Sequence, residues 1–472
     1  MEFRIWIETR LAGRILEHEL VAELERPTIT PEEIGLSLEE GKSVLRQLQA
    51  RMIQTQADVL AAAHWRCRLC GRRQRIKDRR TRCVRTVFGA VRVSCRRFLR
   101  CACRGGRRIT IWPLSHRRMP GTTPELQYLY AAWGSRMPYR QAVAMLADLL
   151  PIGNNAVSPA TLRRHALTVG GRLNQRVVEP DEYDWPESTR QPVPAANRLS
   201  VAIDGTYIRA DGTMLLREYH VVAGRIEREG KLGGTFAWIA QHPSCDAEAF
   251  MKAALEANGW TQKSQLRVLA DGADGLSNLV SAAAKKIPRR VLDWFHISMR
   301  LRPIEQMSSG IAKAANGADP VLSQLLSEKL PHIRYQMWNG KWRAALSRIG
   351  LIQRATKRLL RSLSTPAVEQ VQRFRRHMTE LCDYLRKNWP GLRNYALDRR
   401  RGLRISSALA ESVMSHLVNQ RMGKSQGMRW SCEGAHLLLQ VRCAVLDGRL
   451  DSLFREWHSN FRKQPATPLP IV

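Results

Sequence analysis

Between Leu199 and Leu292 the apolar residues change period in an order that few folds can accommodate. Leu199-Ser200-Val201-Ala202-Ile203-Asp204, Glu218-Tyr219-His220-Val221-Val222 and Thr235-Phe236-Ala237-Trp238-Ile239 read as three successive strands parted by glycine-containing breaks. A helix from about Asp246 to Ala257, a strand at Leu266-Arg267-Val268-Leu269-Ala270, a helix from about Gly275 to Lys286 and a strand at Arg290-Val291-Leu292 follow. A meander followed by alternating helix and strand predicts a single sheet in which the first and fourth strands are neighbours, as in an RNase H-like α/β domain.

The rest of the chain is read around that core. Residues 1–63 are expected to be an N-terminal helical region, with Pro27-Thr28-Ile29-Thr30-Pro31-Glu32-Glu33 as its start signal and Leu36, Leu38, Val44, Leu45 and Leu48 as the stripe that follows. Residues 64–118 form a basic, cysteine-rich segment, and 119–183 read as a helix-turn-helix-like region. There Tyr139 to Leu150 is amphipathic, and Ser158-Pro159 supplies an N-cap with proline at the first helical position. Residues 184–198 are a Pro-rich linker, 199–297 the first part of the α/β domain and 298–405 an all-α insertion. Residues 406–472 are expected to return to the same domain with further helices.

The charge narrows the partner. With 76 Lys and Arg against 42 Asp and Glu, the formal net charge is +34, a self-repulsion that a polyanion would relieve. Nucleic acid is preferred over an anionic membrane surface, because no Lys/Arg-rich helix with a bulky apolar face stands out. The excess peaks between Arg66 and Arg118, where 19 basic residues meet a single acid, Asp78. Apolar runs such as Leu437-Leu438-Leu439 are too short for a membrane span, and Met1-Glu2-Phe3-Arg4-Ile5 does not resemble a secretory signal. A soluble, cytoplasmic protein is therefore expected.

Ligands bind at the carboxyl ends of parallel strands, so acids at strand ends draw attention. Asp204 lies in the first strand and Asp271 ends the fourth. Glu411, on a helix among small and apolar residues in Ala408-Leu409-Ala410-Glu411-Ser412, is the third candidate. Three hard oxygen ligands of this kind suit a pair of Mg²⁺ ions, with Mn²⁺ as the substitute, clamping a phosphodiester. Asp274, three residues beyond Asp271, is the rival second acid.

Cys67-Arg68-Leu69-Cys70 and Cys101-Ala102-Cys103 can offer four thiolates to one structural Zn²⁺, with a hairpin between the pairs as in a zinc ribbon; Cys83 or Cys95 could replace one ligand. Arg163 and Arg164, near the start of a helix, are candidate DNA contacts in a recognition-helix reading, against an ordinary helical hairpin. Asn419, Arg421, Lys424, Arg429 and Trp430 form a polar, basic set that could hold phosphates, with Trp430 stacking on a base; the alternative is a solvated face with Trp430 in the core.

Several blocks carry a resemblance: Asp204-Gly205-Thr206-Tyr207, Leu269-Ala270-Asp271-Gly272-Ala273-Asp274, Leu292-Asp293-Trp294-Phe295-His296-Ile297, Ala410-Glu411-Ser412 to Asn419-Gln420-Arg421-Met422, and Met428-Arg429-Trp430 to Gly434-Ala435-His436-Leu437-Leu438-Leu439-Gln440-Val441-Arg442. Over roughly residues 60–462 the chain resembles the ISKra (number four) family of bacterial insertion-sequence transposases, which is similar to the Mutator-like DDE transposases. The resemblance implies a DDE triad of Asp204, Asp271 and Glu411 with a helical insertion before the glutamate. It also places His296 near the scissile phosphate or leaving oxygen, although a histidine capping the next helix would look the same. Its implied partners are transposon ends and target DNA in the bacterial nucleoid, bound by a homodimer or higher oligomer. A transposase-derived regulator that only binds DNA and an RNase H-like structure-specific nuclease are the competing readings.

Overall fold

The computed structural model describes residues 1–463 apart from 29, 32–33, 105–108, 116–120, 153–156, 182, 184–192, 273, 316–319 and 361–364; at 104, 274, 314–315, 365–367 and 424 it describes the backbone without the side chain. The chain divides into two compact units, Met1–Val169 with Arg449–Val472, and Gly170–Gly448. The closing segment from Arg449 therefore groups with the N-terminal residues, not with the α/β domain as the boundaries 406–472 had it.

The first unit begins with strands, which corrects the helical expectation for residues 1–63. Strands β1 (Glu2–Leu11) and β2 (Arg14–Glu25) pair as an antiparallel hairpin. Ala12 and Gly13 both have positive φ, the backbone that a tight hairpin turn of matching twist requires. Period-two alternation in Phe3, Ile5 and Ile7 was the available signal. Helix α1 (Leu38–Ala62) starts later than the Pro27–Glu33 signal implied, because Ser37 and Glu40 form a reciprocal capping box. Of that start signal, 29 and 32–33 lie outside the described residues.

Strands β3 (Ile76–Thr86) and β4 (Gly89–Leu99) form a hairpin, extended by the short β5 (Thr110–Ile111). Ile53 and Ala57 of α1 close a small core against Val84, Val91, Val93 and Leu114. Helices α2 (Pro124–Arg136), α3 (Tyr139–Leu149) and α4 (Pro159–Val178) follow, the last counted with this unit only up to Val169 and capped by Ser158 Oγ accepting from Thr161 N at 3.1 Å. Leu126, Tyr130, Ala142, Leu146 and Leu162 make their common core. Between α3 and α4, 153–156 lie outside the described residues, as do 184–192 of the expected linker.

The second unit is built on a five-stranded sheet. Strands β6 (Arg198–Arg209), β7 (Glu218–Arg228) and β8 (Lys231–Ile239) form an antiparallel meander. Helix α5 (Ala247–Glu256) leads to β9 (Gln265–Ala270), parallel to β6, and α6 (Asp274–Ala284) leads to β10 (Arg289–Leu292), parallel to β9. The spatial order is β10-β9-β6-β7-β8, so β6 and β9, first and fourth in sequence, are neighbours. Phe250, Met251, Leu255, Val280 and Ala283 of α5 and α6 pack on Val201, Ile203 and Val268 of the sheet.

Between 294 and 400 the described residues are mostly helical: α7 (Trp294–Ala315), α8 (Pro320–Gln324), a π-turn at Leu325–Lys329, α9 (Leu330–Trp338), α10 (Trp342–Leu359), α11 (Thr365–Lys387) and α12 (Tyr395–Arg400). Their core, including Ile297, Leu301, Ile333, Ile352, Phe374 and Leu385, runs without a break into Leu269 and Leu292 of the sheet. Arg267 of β9 and Asp398 of α12 are 2.8 Å apart and both nearly fully buried, fastening the end of the insertion to the sheet. Then come α13 (Ala408–Val413), a second π-turn at Met414–Asn419, α14 (Gln420–Met422) and α15 (Cys432–Leu446). Helix α16 (Leu450–Trp457) belongs to the first unit, where Phe454 meets Tyr128 edge-on. Among the described residues no helix is long and apolar enough to cross a membrane.

Candidate functional site

Strands β9 and β10 end side by side, while β6 runs on past them to Arg209. β6 and β9 pair up to Ala202 with Leu269, and β9 and β10 up to Ala270 with Leu292. Continued past those pairs, the register sets Asp271 beside Asp204 and Asp293 beside Asp271. Three strands thus deliver one carboxylate each to one edge of the sheet, where ligands bind in open α/β sheets. Glu411 reaches this edge from α13, which packs on β6 and β7.

Electrostatics tie the groups together. Burial raises the Asp204 carboxyl above its ordinary range; the Gly205 N–H, donating at 2.7 Å, and His296 pull it down, while Asp271 and Asp293 push it up. Burial also raises Glu411, reinforced by Asp293 and Asp204 and opposed by His296. Like charges gathered on a half-buried edge hold protons against water, and a cation would relieve them.

The tightest grouping includes a residue that the sequence reading had not selected as a site residue. Asp293, His296 and Glu411 offer ligand atoms that all lie within 4.8 Å of one another, with His296 Nε2 at 3.7 Å from both Asp293 Oδ2 and Glu411 Oε1. Asp204, Asp271 and Glu411 do not form such a set among the described residues. Asp293 is fully buried, its Oδ1 accepts from Phe295 N at 2.7 Å, and the Ser407 hydroxyl donates to its Oδ2. It therefore caps α7 while facing His296. The signal was available: Val291-Leu292-Asp293 repeats the pattern of Leu269-Ala270-Asp271, an acid directly after an apolar strand. The side chain of Asp274 lies outside the described residues.

Two supports hold the carboxylates. Tyr384 of α11 donates to the Asp271 carbonyl at 2.7 Å, with the Arg300 guanidinium 4.3 Å above its ring. Gly272 has φ +106°, and a Cβ there would meet the Asn388 side chain at 2.6 Å, so the turn after Asp271 excludes other residues. On the other side, the π-turn at Met414–Asn419 follows Glu411 directly. A π-turn displaces backbone carbonyls from their α-helical partners, and buried Arg442 of α15 donates to the carbonyls of His416 and Leu417.

The expected DNA contacts divide. Arg163, Arg164, Asn419 and Arg429 are exposed. Arg421 and Trp430 are not: Arg421 is 1% and Trp430 7% exposed, the guanidinium lies 5.0 Å from the Trp430 ring, and it donates to Met428 Sδ at 3.0 Å. That pair packs the segment after the π-turn, which corrects its assignment to nucleic acid. The side chain of Lys424 lies outside the described residues. His436 is also structural: fully buried, it accepts from Ile239 N at 3.2 Å and stacks on His242 at 4.1 Å.

In the first unit, Cys67, Cys70, Cys101 and Cys103 bring all four sulfurs within 4.8 Å and could hold a metal ion. Cys67 Sγ is 3.5 Å from Cys103 Sγ, and Cys70 Sγ is 3.4 Å from Cys101 Sγ. The backbone N–H groups of Cys70 and Leu69 lower the Cys67 thiol to about 6, whereas the neighbouring sulfurs raise Cys103 to about 12. Cys83 is exposed on β3 and Cys95 is buried in the small core, so neither joins the cluster. Arg73 and Arg96 flank the Trp65 ring at 5.1 and 5.3 Å beside it.

The chain matches no known family model and no curated protein.

Proposed function

We propose that this chain is a DDE transposase of a bacterial insertion sequence, of the ISKra (number four) type, that binds its element's ends and carries out DNA cleavage and strand transfer. The observation that carries the reading is the meeting of Asp204, Asp271, Asp293, His296 and Glu411 at one sheet edge although the insertion separates Glu411 from the others. The strand order β10-β9-β6-β7-β8 supports an RNase H-like catalytic core. A DNA-binding protein without chemistry gains nothing from acids clustered against phosphate.

Asp204, Asp271 and Glu411 would hold divalent magnesium, which when bound neutralises the phosphate and polarises the attacking and leaving oxygens. The chain's own part is positioning. Tyr384 fixes the backbone of Asp271, Arg442 fixes the turn after Glu411, and the helical core braces the edge against movement when DNA is pressed on it. Arg163, Arg164, Asn419 and Arg429 would contact the DNA backbone, and the charge of +34 would draw the duplex in. We assign zinc to the four cysteines, where it would stiffen the basic hairpin. Bringing two ends together implies at least a dimer on DNA.

The test is to incubate the full chain and Mg²⁺ with a duplex carrying the inverted repeats that bracket its gene, plus a second DNA. Cuts that leave a 3′-OH, followed by joined products, are expected. Specific binding without cutting under any divalent ion would favour the regulator, and hydrolysis of branched DNA without joining would favour the nuclease.

A further inference from the structure

We propose that Asp293, His296 and Glu411 form a site for one first-row transition-metal dication of the manganese class, with His296 Nε2 as a ligand that sets its preference over magnesium. The inference rests on the transposase reading and deepens it, since it adds a second ion position, with one nitrogen ligand, beside the one proposed for magnesium.

Three observations converge on it. The first is spacing. Ligand bonds of about 2.1–2.2 Å opening at about 90–120° set their donor atoms roughly 3.0–3.8 Å apart. His296 Nε2 stands 3.7 Å from a carboxylate oxygen on either side. That is too long for a hydrogen bond and suits two donors facing a common ion.

The second is an unsatisfied atom. His296 Nε2 is buried and has no hydrogen-bond partner among the described residues. A buried ring nitrogen left so costs free energy unless something occupies the point that it faces. The third is uncompensated charge. Asp293 is fully buried, and His296 is the one basic side chain within ion-pair distance of it among the described residues. Two hydrogen bonds, from Phe295 N and the Ser407 hydroxyl, orient the carboxylate without neutralising it. Buried charge of this kind is retained where it is paired or binds a metal.

The donor types decide the class of ion. Magnesium keeps to oxygen ligands, whereas imidazole nitrogen suits first-row transition ions, and the two carboxylates beside it suit manganese among them. Hydrogen bonds that orient a ligating carboxylate are typical of working metal centres, and Asp293 has two. Glu411 is half-exposed, and three protein ligands leave positions open, so a phosphate oxygen could complete the sphere.

The experiment titrates the zinc-replete full chain with Mn²⁺, followed by electron paramagnetic resonance, with Mg²⁺ as competitor. Wild type is expected to show nitrogen coupling from an imidazole on the bound Mn²⁺. His296→Gln is expected to lose that coupling and weaken Mn²⁺ binding about tenfold or more, with Mg²⁺ affinity changed less than about twofold. Asp204→Asn, with its carboxylate outside this cluster, should keep the coupling. Absence of nitrogen coupling in wild type, or unchanged Mn²⁺ affinity in His296→Gln, overturns the proposal. A chain that binds Mn²⁺ through His296 yet cuts no DNA removes the transposase reading and keeps the site. One that cuts DNA without the coupling does the reverse.

Discussion

The cysteine cluster of the first unit and the carboxylate edge of the second are both suited to cations, and they are assembled in opposite ways. The cysteines come from two short pairs joined by one hairpin, supply four soft ligands and leave no position open. The carboxylates come from the middle of one strand, the ends of two others and a helix beyond a long insertion, with hard ligands and one nitrogen on a half-exposed edge. A closed set of soft ligands stabilises a fold, whereas an open set of hard ones leaves room for substrate. The difference also determines what holds each set: a local hairpin in one case, a core reaching from the sheet into the insertion in the other.

That contrast can be broken at several points. Cys67→Ser combined with Cys101→Ser should give the largest effect: one equivalent of zinc lost by elemental analysis and the β3–β4 hairpin opened to protease. Structural zinc contributes about 10–16 kcal/mol in small finger peptides. The transition of the sheet unit should stay in place; if it moves equally, the two sites are not independent. Asp398→Ala should cost the sheet unit about 3–5 kcal/mol in urea unfolding, because it strands Arg267 as a buried unpaired charge.

Arg442→Met leaves the His416 and Leu417 carbonyls without their donor, a loss of about 1–3 kcal/mol. DNA cleavage should fall by more than the stability loss explains; a fall in stability alone would make Arg442 a packing residue. The smallest effect is in pH. Burial raises Asp204 and Glu411, so the folded chain holds protons that the unfolded chain has released. Metal-free stability should therefore fall as pH rises from the ordinary carboxylate range through those raised values, and cleavage should rise over the same interval. Asp204→Asn should flatten the stability profile; a profile unchanged by it would mean that Asp204 is not strained.

What was legible in the sequence follows the same division. Strands β6 to β10 announce themselves by period, and the cysteine pairs by spacing, because both signals are local. Asp293 was passed over although it follows its strand as Asp271 does; only the pairing of β10 with β9 shows that the two align. Arg421 and Trp430 looked like nucleic-acid contacts because composition does not report burial, and their mutual packing depends on the chain turning after Met422. The hairpin β1–β2 was hidden by the stronger leucine stripe that follows it. The π-turn after Glu411 has no sequence mark, since the donor that compensates it, Arg442, lies on another helix.

In the proposed enzyme, acids from distant parts of the chain act as one metal-dependent cutting site. Single-turnover cleavage of an end-containing duplex in Mg²⁺ tests it most directly, comparing wild type with Asp204→Asn and Glu411→Gln. Both variants are expected to bind the duplex as wild type does and to cut it at least about a thousandfold more slowly. Either variant cutting at the wild-type rate would contradict this expectation.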